Sequence, residues 1–269
     1  MRALLTAAPI IFLLGLWDDA RGANAWIKLL VQALAAVALI AGGVSVSFSQ
    51  ALHLLPSPFS AWADVALTVL WIIGITNAQN LVDSMDGLAL GLTIISLLFF
   101  VPLSALARQP QLGIFGAAML GVCIGLYMFN KPPAQFFLGD SGAETLGFLL
   151  AGIALIYVPP GRPQASSWFL PIMLLGLPIL DTVSVVYGRL RRRQSILQGR
   201  RDHIYDRLRS VGLGLRAAIG LMHLSAAMLS ALAIVALYQR PVIANTSFAL
   251  CGAAAVAAIL LLDRIESAA

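Results

Sequence analysis

Nine apolar runs, at residues 3–17, 25–43, 62–78, 87–106, 111–129, 141–158, 168–188, 217–238 and 243–262, leave little of this 269-residue chain to form a water-facing surface. Each is long enough, or nearly so, to cross the hydrocarbon core of a bilayer, which takes about 20 apolar residues. Only 11% of the residues are charged, 60% are hydrophobic and the mean hydropathy is +0.91. A soluble globule could not be clothed with so few charges. The pattern predicts an all-α, polytopic transmembrane helix bundle of about nine spans, forming one domain over residues 1–269. Gly121 and Gly125 make a small-xxx-small pair that would let two helices approach closely. Cys123 and Cys251 sit inside apolar runs, far from His or each other, and read as packing residues rather than a disulfide or thiolate site.

Charge placement orients the bundle. With Met1 outside, nine spans put residues 18–28, 79–86, 130–140, 189–216 and the C-terminus in the cytoplasm, and these segments hold thirteen of the seventeen Lys and Arg. The remaining four, Arg2, Arg108, Arg162 and Arg240, fall one to each outer segment. The first 25 residues also imitate a secretory signal, with Ala23-Asn24-Ala25 as a cleavage site. Asp18 and Asp19 directly after the apolar run argue against that, as does the even span count its removal would leave. Residues 44–60, with Val44, Val46 and Phe48 alternating with serines before Pro56 and Pro58, predict a short extended or re-entrant outer loop.

The inner segments concentrate carboxylates. Asp18 and Asp19 follow the first run, Asp83 and Asp86 the third, and Asp140 precedes the sixth. Ionised groups beside a bilayer are costly, so their recurrence points to one cation or phosphate site built from separate loops. In residues 77–89, Asn77, Asn80, Asp83 and Asp86 recur every three positions before Gly87. Neighbours at that spacing share a helix face, and two amides with two carboxylates suit a cation and the polar edges of a nucleotide. Asp140 between glycines at a helix start could ligate a cation while the Ser141 and Gly142 amides approach a phosphate; a plain capped turn is the alternative. Glu144, one turn on, reads as a supporting partner or a helix-start charge. Lys28 serves equally as a phosphate ligand or a topology anchor. In the basic stretch 189–216 most arginines read as headgroup anchors. His203, with Arg200, Arg201, Asp202 and Asp206, is a candidate pyrophosphate contact. His53 reads as a loop residue, His223 as bundle interior, and Asp181 as an intramembrane acid needing a partner.

The order of LGLWDDA (14–20), KLLVQ (28–32), NAQNLVDSMDGLA (77–89), FFLGDSGAETLGF (136–148), PILDT (178–182) and DHIYDRL (202–208) resembles the polyprenyl-phosphate N-acetylhexosamine-1-phosphate transferases of glycosyltransferase family 4. That superfamily includes the phospho-MurNAc-pentapeptide translocase, and the shorter last inner loop looks more like the undecaprenyl-phosphate GlcNAc-1-phosphate transferase branch. The resemblance implies an enzyme that moves a sugar-1-phosphate from a UDP-sugar such as UDP-GlcNAc to undecaprenyl phosphate with release of UMP, in cell-wall, lipopolysaccharide or O-antigen biosynthesis. It implies Mg²⁺, with Mn²⁺ as a substitute. Carried over, Asp18 and Asp19 look like the catalytic pair and Asp140 like the metal ligand. Asn80, Asp83 and Asp86 would shape the nucleotide and metal site with Asp83 as a second ligand, and His203 matches the late motif. Asn77, Arg201 and Lys28 join the substrate-binding candidates on the reading of the residues themselves. The expected setting is the inner membrane, with the site on the cytoplasmic face, membrane lipid as a neighbour, no nucleic-acid partner, and a homodimer as one assembly open to it.

Four positions depart from the family pattern: Ser84 stands for the usual Gly between the paired aspartates, Ala143 for a Ser, and Tyr205 and Asp206 for further histidines. Met1 also begins about two helices and a Gly-rich loop later than in relatives, so the chain is expected to lack the family's first two helices. A cation-coupled transporter is the rival from another class. It would place acids near mid-bilayer between broken helices, whereas most acids here lie at one face.

Overall fold

A computed structural model of the protein describes residues 1–48, 56–161, 167–195 and 202–268. All nine apolar runs are helical. The helices are α1 (Arg2–Arg21), α2 (Ala25–Ala41), α3 (Phe59–Val82), α4 (Leu88–Leu106), α5 (Pro110–Asn130), α6 (Gly139–Ile156), α7 (Leu170–Leu174), α8 (Gly176–Arg191), α9 (Ile204–Ser210), α10 (Leu215–Leu237) and α11 (Pro241–Ala268). Seven of them, α1, α3, α4, α5, α6, α10 and α11, are long and apolar enough to cross a membrane.

The difference from nine has local causes. Helix α2 has 17 residues and stops at Gly42. The run at 168–188 is divided between α7 and α8. Pro178 has no N–H to give the Leu174 carbonyl four residues back, and the break falls at Leu175 just before it. That carbonyl instead accepts from Ser96 Oγ of α4 at 2.9 Å, which satisfies the freed group inside an apolar environment.

Helix α6 lies at the centre, packed by both α1 and α3, and α4 and α5 form an antiparallel pair beside it. Two glycines permit this. A Cβ on Gly15 of α1 would fall onto the backbone of Ser141, and one on Gly147 of α6 would sit 2.8 Å from Thr76 Cα of α3. The expected pair Gly121 and Gly125 does not do this, since neither has anything within 4 Å. It lies on the outer side of α5, where Val122 and Ile124 are exposed. Small residues permit close approach only on the face that packing happens to choose. Helix α1 is an integral member of the bundle, with Leu4, Ala7 and Ile11 buried. Outward-facing Leu13, Leu30, Leu70, Ile114 and Leu250 give the apolar exterior that a lipid-facing bundle requires. Cys123 is buried and Cys251 half-buried, both free, in keeping with packing roles. The Val46 amide donates to Thr68 Oγ1 at 2.9 Å, and Val44–Ser47 is non-helical as expected. His53 lies outside the described residues.

A substitution at the α3–α6 contact should therefore be felt. Gly147→Val is expected to destabilise the folded bundle by about 1–3 kcal/mol, while Gly121→Val, pointing outward, should stay within about 0.5 kcal/mol. Thermal unfolding midpoints of the two detergent-solubilised variants against the parent protein measure the difference.

Candidate active site

Alternating helix directions bring the end of α1, the start of α2, the end of α3, the start of α4 and the start of α6 to one end of the bundle. The first joint between them is Asp19. Its Oδ1 accepts from the Asp140 amide at 2.7 Å and its Oδ2 from the Ser141 amide at 3.0 Å. A helix start leaves such amides without intrahelical partners and carries a partial positive charge, so a carboxylate from α1 caps α6 in trans. Gly139 makes room for it: its φ is +64°, and a Cβ there would lie 2.8 Å from Asp19 Oδ2. The amides expected to meet a phosphate are therefore engaged within the protein, since Gly142 N–H also donates to the Leu138 carbonyl at 3.2 Å.

The second joint is Lys28, in the first turn of α2 after the Asn24 cap. Its Nζ lies 2.6 Å from Asp18 Oδ2, 3.1 Å from Asp140 Oδ2 and 2.6 Å from Glu144 Oε1. Each carboxylate is held from its other side. Asp18 Oδ1 accepts from the Ala23 amide at 2.5 Å, Asp140 Oδ1 from Asn80 Nδ2 at 2.7 Å, and Glu144 Oε2 from Gln32 Nε2 at 3.3 Å. Asn77 Nδ2 completes the chain by donating to Gln32 Oε1 at 2.6 Å. Thus Asp18, Asp19, Lys28, Asn77, Asn80 and Asp140, all expected from sequence, form one connected network. Gln32 was not foreseen, and Glu144 is more central than a supporting charge. Both are fully buried. The signal available in the sequence was spacing: Gln32 lies one turn from Lys28 and Glu144 one turn from Asp140, and a buried polar group on such a face needs a partner.

The turn between α3 and α4 carries the remaining acids. Gln79 fixes its base by donating to the Ala89 carbonyl at 2.9 Å and Thr93 Oγ1 at 2.8 Å. Asp86 Oδ2 accepts from the Ala134 amide at 3.0 Å, tying the turn to the segment before α6. Asp83 accepts no hydrogen bond from the described residues. Burial, with the charges of Asp140, Asp19 and Asp86 nearby, pushes its carboxyl up to about 7.

The late polar segment docks on this turn from α8. Asp181 finds its partner in His203, whose Nδ1 lies 2.6 Å from Asp181 Oδ2; the Ile204 amide donates to Asp181 Oδ1 at 2.7 Å. Asp202 pairs with Arg189 through two hydrogen bonds of 2.8 Å. Burial disfavours the Asp202 carboxylate, but those bonds and the Arg189 charge outweigh it and hold the group below its ordinary range. Tyr205 stacks on His203 and reaches Ser84 Oγ at 3.0 Å. Burial pushes the Tyr205 phenol up to about 12. Contrary to a general headgroup-anchoring role, Arg189 and Arg207 are buried, Arg207 donating to the Ser184 carbonyl at 3.4 Å. Arg191 and Arg192 pair with Asp263 of α11. Arg200 and Arg201 lie outside the described residues. His223 sits in the bundle near the Leu88 carbonyl and the Tyr127 ring, as expected.

Asp18, Asp140 and Glu144 each offer a carboxylate oxygen within 4.8 Å of the others. All-oxygen donors of this kind suit a hard divalent cation, and the network holds far more carboxylate than the one Lys28 ammonium neutralises. Asp83 stands outside that trio, near enough for its proton to feel Asp140.

Two consequences can be measured. A cation drawn to these carboxylates competes with the Asp83 proton, so Mn²⁺ affinity should fall as pH drops through about 7, and Asp83→Asn should flatten that dependence in a titration from pH 6 to 8. Ser84→Ala and Tyr205→Phe each break the same hydrogen bond, at about 1–3 kcal/mol when the other partner is left unsatisfied. The double variant should cost no more than the worse single one in a thermal double-mutant cycle.

Comparison with known proteins gives the family. Residues 1–158 match the model of glycosyl transferase family 4. A Bacillus subtilis (strain 168) protein named probable undecaprenyl-phosphate N-acetylglucosaminyl 1-phosphate transferase is 32% identical over 87% of this chain and 65% of its own length. The phospho-N-acetylmuramoyl-pentapeptide-transferase of Limosilactobacillus fermentum is 31% identical over 68% of this chain and 57% of its own. The decaprenyl-phosphate N-acetylglucosaminephosphotransferase of Mycolicibacterium smegmatis is 28% identical over 83% of this chain and 60% of its own. The chain spans between half and two thirds of the length of these relatives. A match over more than half the chain, with acidic motifs converging on one end of a helical bundle, makes this protein a member of glycosyl transferase family 4.

Proposed function

We propose that the protein transfers a sugar-1-phosphate, of the N-acetylhexosamine class, from a UDP-sugar to undecaprenyl phosphate in cell-envelope glycan synthesis. The observation that carries this is the convergence of the ends of α1, α2, α3 and α6 on the Lys28 carboxylate network. An oxygen of the lipid phosphate attacks the sugar-bearing phosphorus of the UDP-sugar. A new P–O bond forms, the bond to the UMP oxygen breaks, and UMP leaves with the electron pair. Both reactants are anionic, so the chemistry needs charge neutralisation and alignment more than it needs a strong base.

The residues divide these tasks. Asp140, held by Asn80 and Lys28, with Asp18 and Asp83 beside it, would hold Mg²⁺, or Mn²⁺ in its place. The cation would supply neutralisation of the diphosphate charge. Asp18 has one oxygen fixed by the Ala23 amide and the other turned to Lys28, which suits it to orient the lipid phosphate. Asp19 spends both oxygens on α6 and acts as a positioning residue for Asp140. Asn77 acts through Gln32 on Glu144. Asp86 shapes the nucleotide side by holding the Ala134 segment. His203, fixed by Asp181, is a further substrate contact, together with Arg201. The concentration of Lys and Arg in the segments at this end supports a site on the cytoplasmic face of the inner membrane. Most acids of the described residues lie at this end, which argues against a cation-coupled transporter, for which acids near mid-bilayer would be expected.

Purified protein should release UMP from one member of a UDP-sugar panel only when both undecaprenyl phosphate and Mg²⁺ are supplied. Asp140→Asn should lower that turnover by about 10²-fold or more. His203→Ala should lower it less, because its contact is shared with neighbouring arginines. Wild-type turnover of Asp140→Asn at limiting Mg²⁺ would make Asp140 a helix-start residue only.

A further inference from the structure

Lys28 is engaged more completely than a phosphate-binding lysine needs to be. Its ammonium reaches three carboxylates, those of Asp18, Asp140 and Glu144. These are the same three whose oxygens cluster closely enough to share a cation. The ammonium thus sits among the oxygens a divalent cation would use, and the two must compete for Asp18 and Asp140.

Glu144 differs from the other two. It is fully buried on α6, and its second oxygen accepts from Gln32, itself fixed by Asn77. It cannot follow an incoming ion, whereas the four-carbon stem of Lys28 can swing. One ammonium, one divalent cation and three carboxylates also leave no net charge, so both cations can stay.

We propose that Lys28 is the resident counter-cation of the site and Glu144 its buried holding point. A divalent cation arriving at Asp18 and Asp140 displaces the ammonium from them, Glu144 retains it, and the donors released from Asp18 and Asp140 become available to a phosphate. Lys28 then couples cation uptake to phosphate binding. This rests on the reading above that the site takes a divalent cation and a phosphorylated substrate, and it assigns Glu144 to the lysine rather than to the metal.

The test is Mn²⁺ binding to the detergent-solubilised 269-residue protein without substrate, read from the free-Mn²⁺ electron paramagnetic resonance signal, for the parent, Lys28→Met, Glu144→Gln and the double variant. Lys28→Met should bind Mn²⁺ roughly tenfold or more tightly, because a competing positive charge at contact distance is gone. Glu144→Gln should weaken binding when Lys28 is present, since the ammonium then stays on Asp18 and Asp140. With Lys28 already replaced, Glu144→Gln should change affinity less than about twofold. The double variant removes the fully buried Glu144 charge together with its ammonium and leaves Asp18 and Asp140 to the Ala23 and Asn80 donors, so it should remain folded and lose less thermal stability than Lys28→Met alone. The gain in UMP affinity on adding Mn²⁺ should shrink in Lys28→Met. Equal weakening by Glu144→Gln in both backgrounds would make Glu144 a metal ligand and overturn the proposal, as would unchanged or weaker Mn²⁺ binding in Lys28→Met. Absence of Mn²⁺ binding in the parent and every variant would overturn the metal-dependent reading as well.

Discussion

A carboxylate at the end of α1 that accepts from two amides in the first turn of α6 decides where the polar chemistry of this protein can stand. Asp19 makes that contact, and it requires Gly15 to let α1 lie against the α6 backbone and Gly139 to admit the carboxylate. Once it forms, Asp18 on one helix and Asp140 on the other are brought to the same ammonium. Helix α3 joins through Gly147, which places Asn80 within reach of Asp140. The dipole of α6 points its positive end into this cluster, so the carboxylates that gather there also stabilise the helix that carries them.

The electrostatic consequence is a site with a negative surplus and one internal cation. Lys28 offsets part of the repulsion among Asp18, Asp140 and Glu144, whereas Asp83 has no donor among the described residues and answers its neighbours by holding a proton near neutrality. Such a balance favours a guest that brings positive charge. The bilayer sharpens it, because the low-dielectric surroundings of the helix ends make every unneutralised charge more costly.

The late segment is coupled to this cluster through a single turn. Asp181 fixes His203 and the start of α9, Arg189 fixes Asp202, and Tyr205 reaches Ser84 between Asp83 and Asp86. Ser84 and Tyr205, two positions expected from the sequence to depart from the family pattern, touch each other, and their hydrogen bond helps keep the acidic turn docked.

Hydropathy and charge in the sequence determined that this chain is a helical membrane bundle with most of its acidic and basic residues at one end, because burying apolar surface and keeping charges out of lipid depend on residue type and order alone. Motif order likewise made Asp18, Asp19, Lys28, Asn77, Asn80 and Asp140 legible as one site. Tertiary structure alone decided which oxygen meets which donor. That Asp19 caps α6 while Asp18 faces Lys28, although the two are adjacent, follows from the rotation of α1 against α6, which Gly15 permits but does not announce. Gln32 and Glu144 were hidden for the same reason: a polar residue in an apolar run looks like an interruption until a neighbouring helix presents its partner. The break in the run at 168–188 combines Pro178, visible in the sequence, with Ser96 of α4, which donates to the freed Leu174 carbonyl. Helix rotation and register are set by packing between segments far apart in the chain, and local pattern carries no record of them.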